Sequence, residues 1–500
     1  MYIGYDVKGG VKYAKICKSE RIDGKVKTTQ VSLGRVIDEK VGIYRSRERG
    51  VFTYDIATGA FGPPPSSAVI PVTKRKNARE RLILDFGDAF FVDRYIKRIG
   101  MEAAIDAIKY GNHDSVRALV LFYVICSTAN YNAAEWFAGT YARMLYPKAN
   151  LESQRISELL SSVGKESSCR AFFREYSRLL AHRAEGEDVL IDSTGLPNSI
   201  HFPLTAVSNH NGQLSNEIRL IYVVQQKTNL PLYFRYVAGN IVDVSTLTKT
   251  ILELKALGID TKFAILDAGY LTDENAEEMY EAGISFVTRM RENRKLYKAI
   301  IAEHLPSLRD EGNLVSYNTR YAYIKRIECE LVPGRRAYAY LGLDLSMRSL
   351  QSSKLFARAA RGHMSGAQVH REMQAQGLFV LLSTRPIAKD GILPLYYTRQ
   401  QIEQVFDVCK NNTNLMPLRV QSEDTLRGHL LLAFTASAII KKLQEDLRET
   451  EHTPENALLA LRNHKCKVFD GYVLTMEAAK CANDIYKAFK LKVEHTYSTG

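Results

Sequence analysis

GEDVLIDSTG, residues 186–195, and TKFAILDAGY, residues 261–270, decide how this chain folds. Each holds a short apolar run that stops at an Asp: Asp192 in the first, Asp267 in the second. A continuous apolar, β-branched run is the pattern of a strand buried on both faces, as in parallel sheets. An acid at the carboxyl end of such a strand stands where open α/β sheets collect their ligands. One such Asp is usually structural or a helix cap. Two of them, 75 positions apart, are read as a pair.

Working outward from these runs, IRLIYVV (218–224) and PLYFRYVA (231–238) read as strands joined by a turn at KTNLP, and Gly239-Asn240 ends the meander. Leu247, Ile251, Leu254 and Leu257 have helical spacing after Ser245, so residues 243–257 are predicted helical. A second helix is predicted over about 272–282, followed by ISFVTRM as a strand. Three antiparallel strands, a helix, and two further strands with a helix between them describe an α/β, ribonuclease-H-like core.

Further along, LYYTRQQIEQVFDVCK (395–410) places Tyr396, Arg399, Glu403 and Lys410 at offsets of 0, 3, 7 and 14. At ~100° per residue an unbroken α-helix puts them at roughly 0, −60, −20 and −40°. That is one narrow polar stripe, with Ile402, Val405, Phe406 and Cys409 on the adjoining face. Taken alone, such a helix reads as amphipathic with a solvated face. Next to two strand-borne acids, it suits a metal-binding carboxylate flanked by cations that hold a phosphate.

These residues resemble the DDE transposases of bacterial insertion sequences, in the branch with a β-rich insertion between the second Asp and the Glu. Tyr396, Arg399, Glu403 and Lys410 meet that branch's Y-x2-R-x3-E-x6-K signature; Asp192-Ser193-Thr194 meets its first-Asp context, and Asp267, Gly269 and Tyr270 its second. The resemblance covers about residues 188–440. It implies Asp192, Asp267 and Glu403 as catalytic metal ligands for two Mg²⁺ ions, with Mn²⁺ as a substitute. It implies Tyr396, Arg399 and Lys410 as DNA-binding residues. The implied partners are double-stranded transposon ends and target DNA, with a homodimer in the synaptic complex. The implied reaction is strand cleavage and strand transfer of the cut-and-paste type. Similar enzymes that form hairpin ends stack a flipped base on an insertion-domain Trp; this insertion has none, although a Tyr offers the same π-face. Two other readings share the pattern: a metal-dependent DNA endonuclease that joins nothing, and a catalytically retired DNA-binding protein.

Composition agrees with a nucleic-acid partner. The 500 residues carry a formal net charge of +13 with 46% apolar residues, and a basic balance favours a polyanion. The seven Cys are scattered without a CxxC pair, which suggests neither a zinc site nor a disulfide framework and fits a reducing cytoplasm. No signal peptide or membrane span is predicted, so the expected location is the bacterial cytoplasm, at the nucleoid.

Shifts of pattern divide the chain. Residues 1–67 read as a basic β-strand segment and linker: Ile22-Asp23-Gly24-Lys25 is a hairpin signal, residues 1–50 hold 12 Lys or Arg against 6 Asp or Glu, and FGPPPSS breaks structure. Residues 68–185 read as a helical DNA-binding candidate, opening on the basic run KRKNARERL (74–82) and containing the buried apolar stretch 117–129. Trp136 is read as a core residue. Residues 186–289 and 377–440 form the expected core, 290–376 a β-rich insertion bearing Arg320, Lys325, Arg326, Arg335 and Arg336, and 441–500 C-terminal helices.

Overall fold

Alternating and continuous apolar runs both become sheet in this chain. The computed structural model describes residues 1–8, 10–22, 25–65, 82–181, 188–200, 202–210, 213–240, 246–362, 364–413 and 415–498. It is a mixed α/β structure in two units, Met1–Arg79 and Glu80–Gly500.

The first unit is a six-stranded antiparallel sheet in chain order: β1 (Tyr2–Lys8), β2 (Val11–Ile22), β3 (Lys25–Asp38), β4 (Ile43–Ser46), β5 (Gly50–Tyr54) and β6 (Phe61–Gly62). The predicted hairpin joins β2 to β3, which pair from Tyr13↔Arg35 to Ile22↔Lys25. The tip residues Asp23 and Gly24 lie outside the described residues, as does residue range 66–81 with most of the basic run 74–82. Ala14, Leu33, Tyr44 and Phe52 form a small core.

The second unit opens with β7 (Leu82–Asp85) and a helical array: α1 (Gly87–Arg98), α2 (Met101–Asp106), α3 (His113–Ile125), α4 (Ala133–Gly139), α5 (Ala142–Leu145), α6 (Ser153–Val163) and α7 (Glu166–Ala181). The apolar stretch 117–129 lies largely in α3, buried on nearly all sides. Among the described residues no helix is long and apolar enough to cross a membrane. Trp136 packs on Phe122, ring centroids 5.4 Å apart, against the main core.

A ten-stranded sheet follows. Its strands and the helices between them are β8 (Asp188–Pro197), β9 (Ala206–His210), β10 (Gln213–Gln225), β11 (Pro231–Ala238), α8 (Leu247–Ala256), β12 (Phe263–Leu266), α9 (Asp273–Glu281), β13 (Ser285–Arg289), α10 (Lys295–His304), β14 (Leu314–Tyr317), β15 (Arg320–Val332), β16 (Arg335–Asp344), α11 (Leu345–Ala360), α12 (Gly366–Ala375) and β17 (Leu378–Ser383). The order is β11-β10-β8-β12-β13-β17-β16-β15-β14, with β9 beside β10. Pairing is antiparallel except at β8–β12 and β12–β13. The parallel centre explains the composition: all four residues of β12 and Val189–Ile191 of β8 are buried, each of the Val, Leu, Ile and Phe side chains contributing about 1.5–3 kcal/mol. Two differences from the sequence reading stand out. Strand β10 begins five residues before the predicted 218, because its polar first half pairs with β9. The interval 290–376, read as a separate insertion, supplies β14–β16 to the edge of this same sheet through β16–β17 pairing, a long-range match that local pattern does not show.

The chain continues through α13 (Ile392–Tyr397), α14 (Gln400–Asp407), α15 (Glu423–Asp446), α16 (Pro454–Arg462), β18 (Lys465–Phe469), β19 (Tyr472–Thr475), α17 (Lys480–Ala488) and β20 (Thr496–Ser498). Helix α15 is the spine between helical array and sheet. It crosses α6 where Gly428 meets Gly164: a Cβ on Gly428 would stand 1.9 Å from the Leu160 carbonyl oxygen, and one on Gly164 1.8 Å from that of Asp424. Only glycine permits that approach. The tail, predicted as helices, also supplies three strands, which join β7 in a four-stranded sheet, β20-β19-β18-β7. Nothing local betrays strands completed by a partner some 380 residues earlier. The buried Asp88 accepts a 2.9 Å hydrogen bond from Arg462 Nε and ties α1 to α16 at the same junction.

Candidate functional site

The register of two parallel strands builds the site. In the β8–β12 pair Ile191 stands opposite Leu266, and the ladder stops there. The next residue on each strand is an Asp. Asp192 and Asp267 therefore emerge side by side, about one inter-strand spacing (~5 Å) apart. The sequence reading placed Asp192 at the end of its strand. Here β8 runs on to Pro197 because its other edge stays paired with β10; it is the pairing with β12 that ends at the acid.

A cation already bridges the two carboxylates. Arg399 Nη1 donates to Asp192 Oδ2 at 2.6 Å and lies 3.3 Å from Asp267 Oδ1. Asp192 is 8% exposed, and the Ser193 backbone N–H donates to its Oδ1 at 2.8 Å. Burial works to lower the Arg399 pKa, but the facing Asp192 and Asp267 outweigh it and the net shift is upward. The guanidinium also stands 6.0 Å from the ring centroid of Tyr396. Tyr396 is buried, and loss of solvation pushes its hydroxyl up to about 12, opposed by Arg399.

Asp267, Tyr396, Arg399 and Glu403 line one open cleft of about 190 Å³. Its far wall comes from Asp344, Met347 and Gln351, at and after the end of β16. Arg289, the last residue of β13, lines it too. Sequence reasoning passed over Arg289, although an apolar strand ending in a charge is the same signal that found Asp192 and Asp267.

The expected unbroken helix over 395–410 is a correction. It is three pieces. Helix α13 ends at Tyr397, and the turn through Thr398 and Arg399 is tightened by i→i+3 bonds, Arg399 N–H to Tyr396 O at 3.1 Å and Ile402 N–H to Arg399 O at 3.0 Å. Helix α14 follows, and residues 408–412 widen into a π-helical turn. Tight and wide turns change the angular step from 100°, so the predicted stripe divides. Tyr396, Arg399 and Glu403 still share the cleft, whereas Lys410 turns to β8 and donates to Thr194 Oγ1 at 2.6 Å. Thr194 is two residues beyond Asp192 and so on the same face of the strand. Burial lowers the Lys410 pKa, with Cys409, Asp407 and Glu217 pulling the other way.

Two carboxylates sharing one cation are a hard oxygen donor set of the kind divalent Mg²⁺ takes, and in this structure the Arg399 guanidinium fills the place between them. Glu403, on an exposed position of α14, faces the same cleft. Among the described residues no group of three or more His, Cys, Asp or Glu is gathered to hold a metal ion. Asp192 and Asp267 could hold such an ion between them, and Glu403 lines the cleft beside Asp267.

A buried Asp192 beside a half-exposed Asp267 at a parallel-strand terminus, next to a helix that lends them a cation and faces an open cleft, is an arrangement suited to phosphoryl transfer. The family model described as "Transposase DDE domain" matches residues 183–439, half of the chain, and the chain belongs to that family. Members of it are DNA transposases that in general use divalent metals. Among solved structures, the chain is similar to that titled "Cryo-EM structure of piggyBac transposase synaptic complex with hairpin DNA (SNHP)", with 11% identity and a TM-score of 0.41 over 75% of this chain and 79% of that one. No curated protein matches the chain.

Proposed function

We propose that the chain is a cut-and-paste DNA transposase that binds the ends of its own element, cleaves them and joins the freed 3′-OH to target DNA. The observation that carries this is the in-register pair Asp192–Asp267, bridged by Arg399 and opening on the cleft that Glu403 faces. The strand order supports a ribonuclease-H-like core. Counted along the chain, β8, β10, β11, β12 and β13 are strands one to five and lie in the order 3-2-1-4-5, with the first three antiparallel and the last two parallel to the first.

Asp192, Asp267 and Glu403 would hold Mg²⁺, or Mn²⁺ in its place. Such ions, when bound, would supply Lewis-acid activation of the attacking oxygen and stabilisation of the departing one. The residues of the chain do the rest. Arg399, once its guanidinium leaves the carboxylates, is placed to make a charge-assisted contact to a phosphate. Lys410, anchored on Thr194, supplies a second cation one step along β8. Tyr396, fixed by burial, offers an aromatic edge beside the acids. The 290–376 interval, whose Asp344, Met347 and Gln351 line the cleft, contacts DNA beside the acids, the helical array before the core adds further DNA contacts, and the active assembly is a homodimer.

The test is direct. Duplexes carrying the sequences that flank the gene are incubated with the protein, Mg²⁺ and a target plasmid. Strand-transfer products are expected from the wild type and none from Asp192→Asn, Asp267→Asn or Glu403→Gln, all three of which keep DNA binding because basic contacts dominate affinity. Cleavage without joining supports the endonuclease reading; a substitution that leaves Mg²⁺-dependent cleavage intact removes that residue from the site.

A further inference from the structure

The charge of this chain is not spread evenly. Residues 1–79 hold 16 Lys or Arg against 7 Asp or Glu, nine of the net thirteen positive charges. Among the described residues of that unit one feature lacks any covering. Strand β1 pairs β2 only as far as Cys17, and β4 pairs β3 only from Arg35 to Asp38. Beyond these limits, among the described residues, β2 and β3 pair only with each other, through Lys18↔Thr29, Ser19↔Thr28, Glu20↔Lys27, Arg21↔Val26 and Ile22↔Lys25. Five pairs make a two-stranded ribbon about 17 Å long. Every side chain described in 18–21 and 26–32 is exposed, Val26 and Val31 at 64% and 58%. A lone two-stranded ribbon in water has marginal stability and two open edges; such an element earns its place by what it docks into.

The two faces of the ribbon differ. Opposed residues share a face, so Ser19, Arg21, Val26 and Thr28 lie together, with Gln30 next on that face at the ribbon's base where β1 joins, and no acid among them; Ser19 Oγ and Thr28 Oγ1 are 3.1 Å apart. These are the side-chain types that read base edges: Arg for guanine, Gln for adenine, Ser and Thr for either, and apolar methyls against the thymine methyl. The opposite face carries Lys18, Glu20, Lys27 and Thr29, with Lys18 and Glu20 in an ion pair. B-form DNA has a major groove about 12 Å wide, which admits a two-stranded ribbon.

We propose that the β2–β3 ribbon is a sequence-reading element of this protein that enters the major groove of duplex DNA, with Arg21, Thr28 and Gln30 on the base edges and Lys18 and Lys27 toward the phosphates. The proposal rests on the reading of the chain as an enzyme of DNA ends and names where its sequence choice resides.

The full-length protein carrying Asp192→Asn, which cannot cut, is used to select a preferred motif from a random 20-bp duplex pool. The triple variant Arg21→Ala/Thr28→Ala/Gln30→Ala, built in the same background, is then compared on the selected and a scrambled duplex. Its preference should fall at least about 10-fold, the discrimination lost with one or more base contacts. Lys27→Ala should weaken binding to both duplexes alike and lower the slope of log affinity against log salt by about 1. Thermal unfolding of each variant is measured alongside, since exposed ribbon substitutions should leave it unchanged. A triple variant that keeps the wild-type preference overturns the proposal, as does a full-length chain that selects no motif. Wild-type self-association that the triple variant abolishes, with DNA preference intact, overturns it in favour of edge-to-edge pairing of two copies. Strand transfer by the chain with Asp192 intact is scored separately, so loss of the ribbon proposal and loss of the transposase reading give different results.

Discussion

Arg399→Gln removes the cation between Asp192 and Asp267 and leaves a shorter, uncharged polar side chain in its place. The two carboxylates, on adjacent strands about 5 Å apart, then face each other unscreened. At an effective dielectric near 20 their repulsion is about 3 kcal/mol. Asp267 is 40% exposed, so solvent screening reduces this to about 1.5 kcal/mol. The variant should lose about that much stability at pH 7.5 in EDTA, read by urea unfolding. A divalent ion restores what the guanidinium supplied. With a dissociation constant on the order of 1 mM, 10 mM Mg²⁺ stabilises by about 1.4 kcal/mol. The deficit should therefore close in Mg²⁺, while the wild type, whose guanidinium competes for the same oxygens, gains less. Titration with Mn²⁺ followed by electron paramagnetic resonance gives an independent reading, with tighter binding to DNA-free Arg399→Gln than to wild type. Wild-type stability in EDTA together with an unchanged Mn²⁺ affinity would refute the reasoning, since it would mean that the bridge neither balances the acids nor occupies a cation position.

Three further outcomes are expected. Lys410→Ala should slow cleavage by about 10- to 100-fold at saturating Mg²⁺, the worth of a charge-assisted phosphate contact, with Lys410→Arg partly restoring it; single-turnover rates at the wild-type level would leave Lys410 a strut on Thr194. Gly428→Ala should destabilise by about 3 kcal/mol or more, the upper end for overpacking, because the Leu160 carbonyl it would strike is backbone and cannot turn aside; an unfolding midpoint equal to wild type would show that α15 and α6 can part freely. His464 is buried, its Nε2 2.9 Å from Met476 O and its Nδ1 3.0 Å from the Tyr486 hydroxyl, and burial lowers its pKa, the Met476 carbonyl opposing. A depressed folded pKa means the stabilisation is present above the unfolded value near 6.5 and is lost as pH falls through the folded one. Unfolding between pH 7 and 5 should thus show a decline that His464→Gln flattens, and parallel curves for the two proteins would contradict this.

The legible parts of the site were those carried by local pattern. VLID and FAILD announce buried strands that end in acids because a strand covered on both faces has room only for apolar side chains until its ladder stops. The offsets of Tyr396, Arg399 and Glu403 announce a shared face because three and seven residues are close to whole helical turns, and the three do line one cleft. Lys410 departs from that pattern because its offset of fourteen crosses a tightened turn and a π-turn that no propensity signals. The tail strands, and the place of β14–β16 at the edge of the core sheet, went unseen for a different reason. Each is completed by hydrogen bonds to a strand far away in sequence, and a strand is only as stable as the partner it finds.

By itself, then, the sequence determined the chemical inventory: two strand-borne acids, a helix with an acid, a guanidinium and a phenol in phase, a basic first segment and a helical array before the core. Tertiary structure alone decided how those groups meet. One register, Ile191 opposite Leu266, puts Asp192 beside Asp267, since residues following a matched pair in parallel strands advance together. Side-chain reach across 207 positions of sequence places Arg399 between them. The physical reason is that pattern encodes which face is buried, a property of neighbours along the chain, whereas a charged site is defined by distances between chains of neighbours, and those exist only after the sheet has closed.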